Sequence, residues 1–117
     1  MSMLSKLQHG KSPKPPRTVL YGTEGIGKST FASQAPKPVF IQTEDGLDEI
    51  DCAKFPLATS YDQVVAALTE LRDQPHDYET VVIDSLDWLE RLVWDKLCAE
   101  HNAGSIEQVA GGSSYTR

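Results

Sequence analysis

A run of spaced glycines followed by lysine and serine lies near the start of the sequence. Gly22, Gly27, Lys28 and Ser29 match the pattern GxxxxGK followed by Ser or Thr. Glycines tolerate left-handed backbone dihedrals, so successive amide groups can turn inward around an anion. The lysine adds a full positive charge, and a serine hydroxyl is an oxygen ligand that magnesium accepts. The pattern therefore predicts a cradle for the phosphates of a nucleoside triphosphate, with ATP and Mg²⁺ as the ligands.

The predicted cradle extends into the first turn of the helix that follows it, as far as Thr30. An ordinary glycine-rich turn with a surface lysine is the alternative, but roughly one chain of this length in a few hundred matches the pattern by chance. The residues expected to contact the nucleotide are Gly22, Thr23, Glu24, Gly25, Ile26, Gly27, Lys28, Ser29 and Thr30.

Two acids follow apolar runs that are typical of buried strands. Asp84 ends the run VVID, a position from which a carboxylate can hold Mg²⁺ together with Ser29. Its alternative role, or that of Ser85, is to cap the next helix. Glu44 follows the run VFIQT and is the candidate for orienting the attacking water, which makes Glu44 and Lys28 the predicted catalytic residues. Adjacent Asp45 is a competing candidate, and a simple solvated role for Glu44 is the other alternative.

Secondary structure must bring these residues together, and the sequence predicts strands and helices that alternate along the chain. Alternation of this kind predicts parallel βαβ units, a sheet with helices on both faces, and the α/β class. Ser60 and Gln63 form the pattern of a capping box at the start of one helix. The predicted strands are residues 18–21, 39–43, a short one within 53–58, and 78–84. The predicted helices run from Lys28 to about Pro36, from Ser60 to about Gln74 and Pro75, and from Leu86 to about Asn102 and Gly104.

The composition and net charge of the chain limit the kinds of partner that it can bind. The chain has 117 residues, enough for one domain, and a net charge of -6 that argues against coating nucleic acid through general positive charge. Positive charge gathers in a proline-rich leader, residues 1–16, for which a solvated segment is favoured over a functional arm. Two distant cysteines predict no disulfide framework. The expected location is the cytoplasm, without a membrane segment or secretion signal.

Four features of the sequence together resemble the RecA-like ATPases, and among them phage-type ATP-binding proteins of the single-strand annealing and recombination group. They are GTEGIGKS at 22–29, VFIQTEDGLD at 39–48, VVIDSLDWL at 81–89, and the spacing between these blocks. The resemblance implies a P-loop NTPase fold, ATP hydrolysis and a DNA transaction. It makes Glu44 the counterpart of the catalytic glutamate and Asp84 with Ser85 the end of the Walker B strand.

The resemblance also implies a longer protein. Relatives carry a further strand after the Walker B strand, with a polar sensor residue, and their DNA-binding loops fall in that later region. Residues 17–103 are therefore expected to be the N-terminal part of a RecA-like core whose C-terminal part is missing, and residues 104–117 a loop or tail. Reduced stability or self-association is expected for a sheet that lacks its central strand.

Several functions remain open at this point. The leading hypothesis is an ATPase of the recombination type, located in the bacterial host cell if phage-encoded, with single-stranded DNA and a homo-oligomer as implied partners. The alternatives are a nucleotide-binding or assembly module without turnover, and a small-molecule P-loop kinase, which would need an arginine-rich lid. A GTPase is disfavoured because the sequence has no base-reading NKxD-like tetrad.

Overall fold

The computed structural model describes residues 2–102, 104, 105 and 107. A short 3-10 turn, Met3–Lys6, precedes the other elements, and residues 2–27 are all exposed. Strands and helices alternate from Lys28 onward, which confirms the predicted α/β class. The elements are α1 (Lys28–Ser33), β1 (Pro38–Gln42), β2 (Ala53–Lys54), α2 (Tyr61–Asp73), β3 (Thr80–Asp84) and α3 (Leu86–Glu100).

The three strands form one parallel sheet in the order β2, β1, β3. Central β1 has a continuous buried run, Val39, Phe40 and Ile41, as expected for a parallel strand covered on both faces. The register pairs Gln42 of β1 with Asp84 of β3. Parallel pairing brings the carboxyl ends of these two strands to the same edge of the sheet, where the predicted acids follow.

The apolar core lies between the sheet and the helices α2 and α3. Ile41 of β1 and Val64 of α2 are almost fully buried in this core, and the burial of their branched apolar side chains stabilises the fold. The cluster consists of Ile41, Ala58, Val64 and Ala67, with Phe55, Leu71, Ile83, Leu89 and Leu92 packed against it. Strand alternation turns Asp84 away from this core, to the other face of the sheet, where α1 meets it.

Helix α2 begins with the predicted capping interaction. The Ser60 hydroxyl accepts a hydrogen bond from the Gln63 amide at 3.3 Å, and the Gln63 side chain accepts one from the Thr59 amide at 2.7 Å. The reciprocal bond therefore goes to the residue before the cap instead of the cap itself. The helix ends at Asp73, ahead of Pro75, and this end also matches the prediction.

Helix α3 is followed by Asn102, whose φ of 53° is a left-handed conformation that closes helices. The predicted tail, residues 104–117, lies almost entirely outside the described residues. Among the residues that are described, no helix is long and apolar enough to cross a membrane.

The strand predicted at residues 18–21 does not form. This segment has no regular secondary structure and pairs with none of the described strands, and residues Val19 and Tyr21 are 68% and 89% exposed. The apolar run favours strand conformation, but a strand forms only where a neighbouring strand accepts and donates its backbone hydrogen bonds. Of the described strands, β3 lies at one side of the sheet and pairs only with β1.

Candidate functional site

The glycine-spaced loop adopts the positive φ angles that the sequence pattern predicts. Gly25 has φ of 81° and Gly27 has φ of 102°, values that residues with a β-carbon rarely adopt. Between them the Ile26 amide donates to the Thr23 carbonyl at 3.3 Å, which forms a tight turn. Helix α1 starts directly after Gly27, so the loop leads into the first turn of a helix as predicted.

Lys28 folds back against the start of the loop. Its ammonium group donates to the carbonyls of Gly22 at 2.7 Å and Thr23 at 3.0 Å. A β-carbon at Gly22 would lie only 3.1 Å from the Ile26 side chain, so the absence of one permits this close turn. The loop therefore encloses a positive charge while its outer surface, from Gly22 to Gly27, stays exposed.

Ser29 and Asp84 are brought together by the fold. The Ser29 hydroxyl, in the first turn of α1, donates a hydrogen bond to the Asp84 carboxylate at the end of β3. Both residues are half-buried. The sequence-predicted pair of magnesium ligands is thus adjacent in space.

The chemistry of this pair fits magnesium. Mg²⁺ takes one or two protein oxygens and completes its shell with water and phosphate oxygens, and Ser29 with Asp84 offers such a set. A metal site closed by protein side chains alone would instead need at least three ligating side chains. Within the described part of the chain, no three His, Cys, Asp or Glu side chains converge to make one.

Glu44 lies in the bend that follows β1 and is half-buried, whereas its neighbour Asp45 is exposed. The pairing of Gln42 with Asp84 places Glu44 at the same edge of the sheet as Asp84. Its carboxylate has no hydrogen bond or ion pair with any described residue. The fold places Glu44 at the same edge as Asp84 but gives it no hydrogen bond or ion pair with the phosphate loop.

Thr43 is a site residue that the sequence reasoning did not identify. Its hydroxyl donates to the Ser85 carbonyl at 2.7 Å and accepts from the Ser85 amide at 2.9 Å. Its own amide donates to the Asp84 carbonyl at 2.8 Å. A polar residue at the buried end of the run VFIQT, directly before a candidate acid, was the signal that could have identified it.

Ser85, not Asp84, is the N-cap residue of α3, and its side chain makes no capping bond. Its hydroxyl is buried and has no hydrogen-bond partner within the described residues. The capping role considered for Asp84 is therefore absent, and its carboxylate is directed to Ser29.

The two tryptophans of α3 are partly exposed. Trp88 and Trp94 are 44% and 41% exposed, more than core residues would be, and they line a groove of about 500 Å³. The Arg91 guanidinium lies over the Trp88 ring at 4.8 Å. His9, His76 and His101 are exposed.

Comparison with known proteins gives one family. A family model described as an AAA domain matches residues 14–117, which includes the phosphate loop and both candidate acids. No curated protein and no solved structure matches the chain. The glycine-spaced loop before α1, the parallel α/β sheet and this match over most of the chain agree in showing a nucleotide-binding P-loop NTPase, and the chain belongs to the AAA domain family.

Proposed function

We propose that this chain binds ATP with magnesium at residues 22–30, and that the complete protein hydrolyses ATP to support DNA recombination or single-strand annealing. The observation that carries the proposal is the contact between Ser29 and Asp84 beside the loop that encloses Lys28. It joins the helix that follows the phosphate loop to an acid at the end of β3, as a bound metal nucleotide requires.

Phosphate binding follows from the loop. The left-handed glycines Gly25 and Gly27 allow amide groups to face an anion, and the Lys28 ammonium already lies against the loop. On nucleotide binding, Lys28 would exchange its bonds to the Gly22 and Thr23 carbonyls for bonds to phosphate oxygens. A charged donor makes stronger hydrogen bonds to phosphate than to a neutral carbonyl, which favours the exchange.

Ser29 and Asp84 would hold the magnesium ion that accompanies the nucleotide. When bound, the ion neutralises charge on the phosphate oxygens. Asp84 contributes negative charge to the ion, directly or through water, and Ser29 contributes a neutral oxygen. Their existing contact means that little rearrangement is needed to present both oxygens to one ligand.

Turnover is assigned to Glu44. Its carboxylate would orient a water molecule and accept a proton as the water oxygen bonds to the γ-phosphorus. The bond from that phosphorus to the bridging oxygen breaks, and ADP and inorganic phosphate result. The position of Glu44 at the edge shared with Asp84 supports this role.

The DNA role rests on the resemblance to phage-type RecA-like proteins. Single-stranded DNA and a homo-oligomer are the corresponding partners. An ATP hydrolysis assay of the full protein with and without single-stranded DNA tests the DNA role, and we expect single-stranded DNA to stimulate turnover. Equal rates in the two conditions would contradict it.

A nucleotide-binding module without turnover is the second candidate. It is favoured by one observation, that Glu44 makes no hydrogen bond or ion pair with the described residues. The variant Glu44→Gln separates the candidates, because loss of a general base costs about 10²-fold or more in kcat. We expect it to abolish turnover and keep ATP binding, while Asp45→Asn keeps both. Equal turnover in Glu44→Gln and the original protein would remove Glu44 from the mechanism.

A further inference from the structure

Thr43 forms a three-point connection between the ends of β1 and β3. The backbone amide of Thr43 bonds to the Asp84 carbonyl, extending the strand pairing by one residue. Its hydroxyl bonds to both the amide and the carbonyl of Ser85, at 2.9 and 2.7 Å. Three hydrogen bonds therefore join a single residue to the backbone of the Asp84–Ser85 junction.

The same contact extends to the start of α3. The Ser85 carbonyl, which accepts from Thr43, also accepts the first helical bond of α3 from the Leu89 amide at 3.1 Å. Thr43 is only 5% exposed, so its bonds are made without competition from bulk water. Because the hydroxyl uses its proton on one Ser85 atom and a lone pair on another, its orientation is fixed.

Thr43 lies between two residues with proposed roles. The residue before it, Gln42, pairs with Asp84, and the residue after it is Glu44. A shift of Thr43 relative to Ser85 would move Glu44 relative to Asp84. Ile41 and Ile83, which pack in the core, precede this point in β1 and β3, so the bonds of Thr43 act at the ends of the two strands.

We infer that Thr43 is a positioning residue that sets Asp84 for magnesium and Glu44 for water through its hydroxyl bonds to the Ser85 backbone. The inference rests on the proposed function, since it assigns a partner to the same site. We assign Thr43 no direct contact with the nucleotide or the ion.

The variant Thr43→Val tests the role of the hydroxyl. Valine has nearly the same shape, but it leaves the Ser85 amide without its partner. Residues that orient metal-site carboxylates typically change metal affinity or activity about tenfold or more when lost. We therefore expect Thr43→Val to raise the Mg²⁺ concentration for half-maximal ATP binding about tenfold. ATP affinity in the absence of magnesium should change less than about twofold, because Lys28 and the loop are untouched.

Two further variants separate positioning from folding. Thr43→Ser keeps the hydroxyl and should restore the magnesium requirement to within about twofold of the original chain. Thr80→Val is the matched control, because the Thr80 hydroxyl also bonds to a carbonyl, that of Pro36 at 2.7 Å, but at the other end of β3. We expect Thr80→Val to leave the magnesium requirement unchanged, even where it lowers the melting temperature.

The experiment titrates ATP binding against Mg²⁺ for the four proteins, with thermal melts in parallel. A raised requirement in Thr43→Val that is rescued by Thr43→Ser and absent in Thr80→Val supports the inference. An unchanged requirement in Thr43→Val, or one raised equally in Thr80→Val, would overturn the inference alone. Absence of magnesium-dependent ATP binding in the original chain would overturn the proposed function and the inference together.

Discussion

The hydroxyl of Ser29 donates a hydrogen bond to the carboxylate of Asp84, although the two residues are 55 positions apart. The contact joins the first turn of α1, directly after the phosphate loop, to the end of β3. It brings together the two oxygen ligands that the sequence assigns to magnesium.

Loss of either predicted magnesium ligand should weaken the binding of the Mg²⁺ ion that accompanies ATP. We expect Ser29→Ala and Asp84→Asn each to raise the Mg²⁺ concentration for half-maximal binding, by about tenfold or more for Asp84→Asn, which removes a charge. Because the two groups share one ligand, the effects in the double variant should not add. Titration of ATP binding against Mg²⁺ measures this.

A serine elsewhere on α1 provides the control. The Ser33 hydroxyl bonds to the Thr30 carbonyl within the helix at 2.6 Å. Ser33→Ala should leave the magnesium requirement unchanged. A requirement raised equally in Ser33→Ala, or strictly additive effects of Ser29→Ala and Asp84→Asn, would contradict a shared site.

The positive φ of Gly27 should make this residue sensitive to alanine. A side chain there meets nothing within 4 Å, so the cost of Gly27→Ala is backbone strain, about 1–3 kcal/mol. Because residues 22–27 are exposed, the loop can relax without disturbing the core, and the cost should appear in ATP binding. We expect an ATP affinity lower by about tenfold, measured by calorimetric titration.

Gly46 is the matched comparison for this substitution. An added side chain there also meets nothing within 4 Å, but the φ of Gly46 lies outside the positive range. Gly46→Ala should leave ATP affinity close to that of the original chain. Equal losses in both variants would show that the left-handed backbone of Gly27 is not the cause.

The two helix caps should differ in their contribution to stability. Ser60 accepts a capping bond from the Gln63 amide, so Ser60→Ala should lower the free energy of unfolding by about 1 kcal/mol. The Ser85 hydroxyl is buried without a partner among the described residues, so Ser85→Ala should be neutral or stabilising. Urea denaturation measures both, and an equal loss in the two variants would contradict the structural difference.

Local patterns predicted the individual elements well. The continuous apolar run of β1, the capping residues of α2 and the proline after it each depend on neighbours in sequence, and all are found in the structure. The glycine pattern likewise predicted the left-handed loop before α1. The same short stretch of sequence identified Lys28 and Ser29 as candidate contacts to phosphate and magnesium.

Non-local pairing was harder to predict. Residues 18–21 have the composition of a strand but no partner among the described strands, and composition alone cannot supply one. Thr43 was missed for a related reason, because its importance lies in bonds to Ser85, which is 42 residues away. The meeting of Ser29 with Asp84 was predictable only because parallel sheets collect strand ends at one edge.

The affinities of the original chain and of Lys28→Ala for ATP·Mg²⁺ test whether the loop at residues 22–30 binds the triphosphate. Loss of a charged donor to phosphate should weaken binding by about ten- to hundredfold. Lys96→Ala is the control, because Lys96 of α3 pairs with Asp62 of α2 at 2.9 Å, an interaction that raises the pKa of Lys96. We expect a large loss of affinity for Lys28→Ala alone; an unchanged dissociation constant for Lys28→Ala would show that the loop is not the phosphate site.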